Sequence, residues 1–167
     1  MDKIKSLSEL IKIGARLRQN GKTVGLVTGC FDVFYVGHAR FLSSAKKHVN
    51  VLMVGLEGDE SIKLTKSSGR PIFSFKERAE LISQVESVDY VFKIPGKARF
   101  DSAAADLVHK SLLRQLKPWA FIVCQNADKY WRNKKIKAKE AGVGFLLVKV
   151  KESSSSTRII EKLEKET

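Results

Sequence analysis

Apolar residues recur along this chain with two alternating periods. Residues 6–19 carry Leu7, Leu10, Ile11 and Leu17 at helical spacing, with Ser6 or Ser8 placed to cap and Asn20-Gly21 to stop the helix. Residues 23–28 form a short β-rich run that predicts a buried strand. Residues 39–48 predict a helix with Phe41, Leu42 and Ala45 inward, and residues 51–56 a second strand. Residues 74–85 predict a helix carrying Phe75, Ala79, Leu81 and Ile82. Ser74, with Glu77 three residues later, forms its capping box. Residues 88–92, 119–123 and 145–150 read as further strands, and 103–116 and 128–141 as helices. A last helix starts near Ser155 or Ser156 and runs through Ile159, Ile160 and Leu163, while residues 63–69 and 95–101 read as loops. Strands alternating with helices imply βαβ crossovers. The expectation is an α/β fold: one doubly wound, mainly parallel, five-stranded sheet with helices on both faces. A length of 167 residues suits a single domain over 1–167, in which the helix at about 6–20 is an extra N-terminal element.

Composition narrows the class. Hydrophobic residues make up 43% and charged residues 29%, ordinary values for a globular protein. The apolar runs at 51–54 and 145–148 have core-strand length and fall far short of a membrane span, so no membrane partner is expected. The opening residues lack the apolar run of a secretory signal. Two cysteines, Cys30 and Cys124, without CxxC spacing, exclude a disulfide scaffold or zinc site and suit a reducing cytoplasm. Net charge is +13, which favours an anionic partner. The basic residues are spread along the chain, with one modest cluster at Arg132, Lys134, Lys135, Lys137 and Lys139. Without a basic tail or an aromatic-interleaved stripe, phosphorylated small molecules fit better than nucleic acid.

The candidate chemistry lies after the first strand. In a doubly wound sheet, ligands sit beyond the carboxyl ends of the strands, and phosphates favour the start of the next helix. Gly29 lets backbone amides approach a phosphate, Gly37 lets the helix begin close to it, and His38 projects from the first turn. An imidazole there can donate to a phosphate oxygen and, if protonated, offset charge that builds at a reacting phosphoryl centre.

The segment Gly29-Cys30-Phe31-Asp32-Val33-Phe34-Tyr35-Val36-Gly37-His38 resembles the G-x-F-D-x-x-H-x-G-H signature of the cytidylyltransferase-like nucleotidyltransferases. Gly58-Asp59-Glu60, Lys66, Arg70-Pro71, Glu77-Arg78-Ala79 and Val88-Asp89-Tyr90-Val91 look like further landmarks in the right order. Ser155-Ser156-Thr157-Arg158-Ile159 resembles the closing motif that opens the last helix and binds phosphates. The resemblance implies a Rossmann-like fold and a Mg²⁺-assisted reaction. A phosphorylated metabolite attacks the α-phosphorus of ATP or CTP and pyrophosphate leaves; a homodimer is implied as well. It also implies roles: His38 and Lys66 at the reacting phosphates, with Gly29, Cys30, Phe31, Asp32, Gly37 and Lys46 around the nucleotide. Ser155, Ser156 and Thr157 would meet the β- and γ-phosphates, and Arg78 and Lys63 the acceptor; no protein-bound metal is implied.

Phe31-Asp32-Val33, in place of a Phe-Asp-Pro pattern, points to the branch of glycerol-3-phosphate cytidylyltransferase and the heptose-1-phosphate adenylyltransferase domain. Val150 and Lys151 stand where the cytidylyl type carries Arg-Thr, so ATP and CTP both stay open. Gln125-Asn126 replaces a Gly-Asp that meets the base in many relatives, and Tyr130 and Trp131 could stack on a base instead. The main departure is Tyr35, where the family places its first histidine. A phenol is neutral near pH 7, with a reference pKa of about 10, and cannot supply an imidazolium's charge. The alternative to an active transferase is therefore a nucleotide-binding relative with weakened or no catalysis. A basic nucleic-acid-binding module is the weakest reading.

Overall fold

The computed structural model describes residues 2–66, 69–151 and 155–165. Ser153 and Ser154 of the serine run lie outside the described residues, as do Ser67 and Ser68. Five strands, β1 (Val24–Gly29), β2 (Val51–Leu56), β3 (Tyr90–Lys93), β4 (Ala120–Cys124) and β5 (Gly144–Val148), form one parallel sheet in the order β3-β2-β1-β4-β5. The helices among the described residues are α1 (Leu7–Gln19), α2 (Val36–Lys46), α3 (Asp59–Thr65), α4 (Phe75–Ser83), α5 (Ala103–Leu116), α6 (Trp131–Glu140) and α7 (Ser156–Glu164). No described helix is long and apolar enough to cross a membrane.

Alternation along the strands builds two cores. On β2, Leu52, Val54 and Leu56 face a cluster with Phe41, Leu42 and Ala45 of α2 and Ala79 and Ile82 of α4. Leu26, Met53, Phe121 and Val123 point the other way, onto Leu10 of α1, Leu112, Leu113 and Leu116 of α5, and Ala138 of α6. Winding runs from β1 outward through β2 to β3, then crosses back through α5 to β4 on the other side of β1. The reversal opens a crevice beyond the carboxyl ends of β1 and β4.

Both capping boxes form: Ser6 with Glu9 on α1, and Ser74 with Glu77 on α4. The inner face of α4 is Arg78, Ala79 and Ile82, which leaves Leu81 43% exposed. Two expectations need correction. Residues 63–65 belong to α3, whose brevity gave no helical period to read. The third strand begins only at Tyr90, since Asp89 turns its carboxylate onto the Leu52 amide (2.7 Å) and Lys46.

Candidate active site

The loop between β1 and α2 is shaped by two residues. Phe31 adopts a left-handed conformation (φ 49°), and its ring folds back over Gly29. A Cβ on Gly29 would lie 2.9 Å from that ring, so any larger residue would have to displace it. Asp32 is buried and fully engaged: it pairs with Arg70 and accepts from the Ile72 and Phe73 amides at 2.8 and 3.0 Å. It thus ties the loop to the segment before α4. Tyr35 is the N-cap residue of α2, and its side chain makes no capping bond.

His38 stands in the first turn of α2 inside an aromatic cage. Its ring centroid is 5.0 Å from Phe31, 5.6 Å from Phe34 and 4.3 Å from Tyr35. Burial lowers its pKa to about 4, so the imidazole is neutral at pH 7 in the free protein. Burial likewise raises the Tyr35 phenol above its ordinary value. Neither position therefore carries positive charge before a ligand arrives.

A cleft of about 350 Å³ opens at the crevice. It is lined by Gly29, Cys30, Phe31, Asp32, Tyr35, His38 and Lys66, and by Ser155, Ser156 and Thr157 at the start of α7. A second cleft of about 360 Å³ adjoins it, sharing Tyr35, His38 and Ser155 and adding Gly37, Asn126 and Val150. Four buried side-chain polar atoms lack a partner among the described residues, and three belong to residues lining the first cleft: Thr28 Oγ1, His38 Nδ1 and His109 Nδ1. Buried polar groups are normally satisfied, so this concentration marks a place that is completed by something else. Burial pushes the Cys30 thiol up to about 11, which makes it a wall and not a nucleophile.

Not every expected residue is brought here. Lys46 ends α2 at the opposite edge of the sheet, paired with Asp89 (2.5 Å) and the Asn50 carbonyl (2.6 Å). A crossover helix must return to the amino ends of the strands, so its last residue cannot share a site with its first. Lys63 points outward to Glu60 (3.2 Å) and does not line the cleft. Arg78 is 1% exposed and donates to the carbonyls of Phe73, Cys30 and Glu57 and to the Asp59 carboxylate. It braces the strand ends, and its burial withdraws it from the cleft. Ser155 caps α7 through the Arg158 amide, and Ser156 Oγ donates to the Val33 carbonyl (2.9 Å), which docks α7 on the loop. Asn126 bridges to Val150 and holds the end of β5, Tyr130 lines the cleft, and Trp131 packs against the core.

Sequence reasoning missed Glu57, His109, Asp128, Lys134 and Lys137, all of which line the cleft. Lys134 reaches the Thr28 carbonyl (3.3 Å) and Asp128 (2.7 Å), and Lys137 pairs with Asp106 (2.5 Å). A signal existed. Lys134, Lys137 and His109 occupy inward helix positions beside Ala138 and beside Leu112 and Leu113, where apolar residues are expected. Among the described residues, no group of three or more His, Cys, Asp or Glu could hold a metal ion.

Known proteins share both this sequence and this architecture. The family model for cytidylyltransferase-like proteins matches residues 26–162. The chain belongs to the cytidylyltransferase-like family. The bifunctional protein HldE of Campylobacter fetus is 34% identical over 161 residues, covering 96% of this chain and 31% of that protein. HldE of Helicobacter pylori strain J99 is 35% identical over 156 residues, 93% of this chain and 31% of that one. The chain thus spans about a third of the length of these relatives. A pantoate-beta-alanine ligase from Francisella tularensis shares the fold at a TM-score of 0.65 and 12% identity, covering 98% of this chain and 77% of that one. So does a lipopolysaccharide core biosynthesis protein from Thermoplasma volcanium, at 0.60 and 21%, covering 80% of this chain and all of that one.

Lys66 lines the cleft with its ammonium outside any ion pair among the described residues. Lys66→Ala should weaken triphosphate affinity by about 1–3 kcal/mol, the scale of a charge-assisted hydrogen bond. Calorimetry with ATP and CTP measures this, and unchanged affinity would remove Lys66 from the site.

Proposed function

We propose that this domain transfers a nucleoside monophosphate from ATP or CTP to a phosphorylated small metabolite, with release of pyrophosphate. The observation that carries the reading is convergence. One cleft receives the Gly29-to-His38 loop, Lys66, which has no ion pair among the described residues, and the start of α7, and three residues of its walls hold a buried polar atom with no partner among the described residues. An acceptor phosphate oxygen attacks the α-phosphorus in line as the bond to the bridging oxygen breaks, and pyrophosphate leaves. Such chemistry rests on positioning and charge stabilisation. Mg²⁺ would accompany the triphosphate as its counter-ion and supply further charge neutralisation. Lys66 neutralises the phosphate chain, while Thr157 and the first amides of α7 meet its far end, favoured by the helix dipole. His38 is neutral at rest, and the incoming phosphates favour its protonated form, so positive charge arrives with the substrate. The resemblance to the heptose-1-phosphate adenylyltransferase and glycerol-3-phosphate cytidylyltransferase branch supports a phosphorylated, hydroxylated acceptor.

A second reading, a nucleotide binder with weakened catalysis, is favoured by Tyr35, a neutral phenol packed 4.3 Å from His38. Pyrophosphate release by the native chain and by Tyr35→His, on one panel of phosphorylated acceptors, separates the two. An active enzyme should gain up to about 10²-fold from the restored imidazole. Native turnover that drops in Tyr35→His would make the tyrosine a working residue. No turnover from either protein, with tight nucleotide binding in both, establishes the binding reading.

A further inference from the structure

Among the carboxylates that line the cleft, one differs from the rest. Asp32 has both oxygens occupied, by Arg70 and by the Ile72 and Phe73 amides. Asp128 has both occupied too, by Lys134 and the Tyr130 amide. Glu57 uses Oε1 alone, on His109 Nε2 at 3.2 Å; its Oε2 has no hydrogen-bond partner among the described residues and is not sealed from solvent. Glu57 follows β2, and its backbone is held on two sides. Its amide donates to the Gly29 carbonyl (3.0 Å), and its own carbonyl accepts from Arg78 Nη2 (2.9 Å). Its charge also acts on the Cys30 thiol, together with those of Lys66, Arg78 and Lys134. The free oxygen therefore lies on a rigid frame beside the phosphate-binding loop.

His109 explains itself poorly as a packing residue. It is 6% exposed, on the inward stripe of α5 with Ala105, Leu112, Leu113 and Leu116. With Nε2 serving Glu57, its Nδ1 is buried without a partner among the described residues, which costs stability relative to a satisfied or apolar group. A leucine would pack there without that cost. What the histidine supplies is a fixed orientation for the Glu57 carboxylate.

We infer that Glu57 is the specificity residue for the acceptor, its free oxygen accepting a hydroxyl hydrogen, with His109 as its positioning residue. The inference rests on the transferase reading and sharpens it. In a cleft whose other carboxylates are paired, the Glu57 carboxylate repels phosphate and takes neutral donors, and hydroxyls are the donors of a sugar or polyol phosphate. The acceptor is thus a polyhydroxylated phosphate ester, its phosphate on the Lys66 side and a hydroxyl on Glu57.

The test uses calorimetry on the whole chain. Its first arm titrates α,β-methylene ATP and α,β-methylene CTP; failure of both to bind overturns the transferase reading, and this inference with it. The second arm titrates the analogue complex with mannose 1-phosphate, glucose 1-phosphate, glycerol 3-phosphate and hydroxyl-poor propyl phosphate. At least one hydroxylated ester should bind ten-fold or more tightly than propyl phosphate. Glu57→Gln should abolish that preference while propyl phosphate and the analogues bind no more weakly than to the native chain. His109→Leu should keep the melting temperature yet erode the preference several-fold. Normal analogue binding with no preference in the native chain, or a preference that survives Glu57→Gln, overturns the inference and leaves the transferase reading standing. Should Glu57→Gln fail to fold, Glu57→Asp, which keeps the charge but withdraws it by one methylene, must show the same loss.

Discussion

Arg78→Ala should destabilise the protein by about 3–5 kcal/mol, because it strips the partner from a buried set of acceptors. The guanidinium is 1% exposed and bonds the Cys30 carbonyl at 2.6 Å, the Glu57 carbonyl at 2.9 Å, the Phe73 carbonyl at 3.0 Å and Asp59 at 2.6 Å. It thereby joins the ends of β1 and β2, the start of α3 and the approach to α4. A domain of this size loses roughly 2–4 °C of melting temperature per kcal/mol, so the expected fall is on the order of 10 °C. Arg78→Met fills much of the same volume and should not rescue it, since the acceptors stay unpaired. Thermal denaturation decides the matter. A variant with native Tm and a raised KM for the acceptor alone would return Arg78 to the acceptor site.

His38→Ala should reduce turnover at least about a hundredfold while keeping most of the melting temperature. The imidazole sits in the aromatic cage with Nδ1 buried and unpartnered, so its removal loses packing but also relieves an orphaned polar atom. A collapsed fold with normal specific activity in the surviving fraction would make the residue structural. A pH series gives an independent check. The native imidazole titrates at about 4, below its ordinary value of 6.5, so between those limits the unfolded chain binds more protons than the native one. Stability from this group is therefore complete above pH 6.5 and is lost as pH falls toward 4, by on the order of 3 kcal/mol. His38→Ala should flatten that part of the Tm-versus-pH curve. An unchanged slope would place the titrating group elsewhere.

How much of this was legible beforehand follows the range of the interactions. Periods of 3.6 and 2 are local, so all five strands and six of the seven described helices could be read from neighbouring residues. The capping boxes at Ser6 and Ser74 could be read too, since their partners lie three residues away. The helix missed, α3, is seven residues long, under two turns, and carries no periodic signal. The loop from Gly29 to His38 was legible because its residues are consecutive and strand–glycine–helix geometry follows from backbone sterics.

Local patterns were thus enough for the parallel α/β layering, for the loop that leads from β1 into α2 and for family membership. Which charged side chains meet at that loop is a matter of contacts between segments distant in the chain. Lys46 and Arg78 looked like site residues by their motifs, yet chain direction carries one to the far edge of the sheet and the other is buried against the strand ends. Glu57 and His109 are separated by 52 residues in the chain and meet at 3.2 Å because the crossover through α5 lays one over the strand end that carries the other. Lys134 reaches the Thr28 carbonyl across a separation of 106 residues for the same reason: β1 and β4 are neighbours in the sheet but not in the chain. The charge state of His38 is likewise a tertiary property. Desolvation by three aromatic rings and the core lowers its pKa, and no local pattern reports how much water a folded cleft excludes.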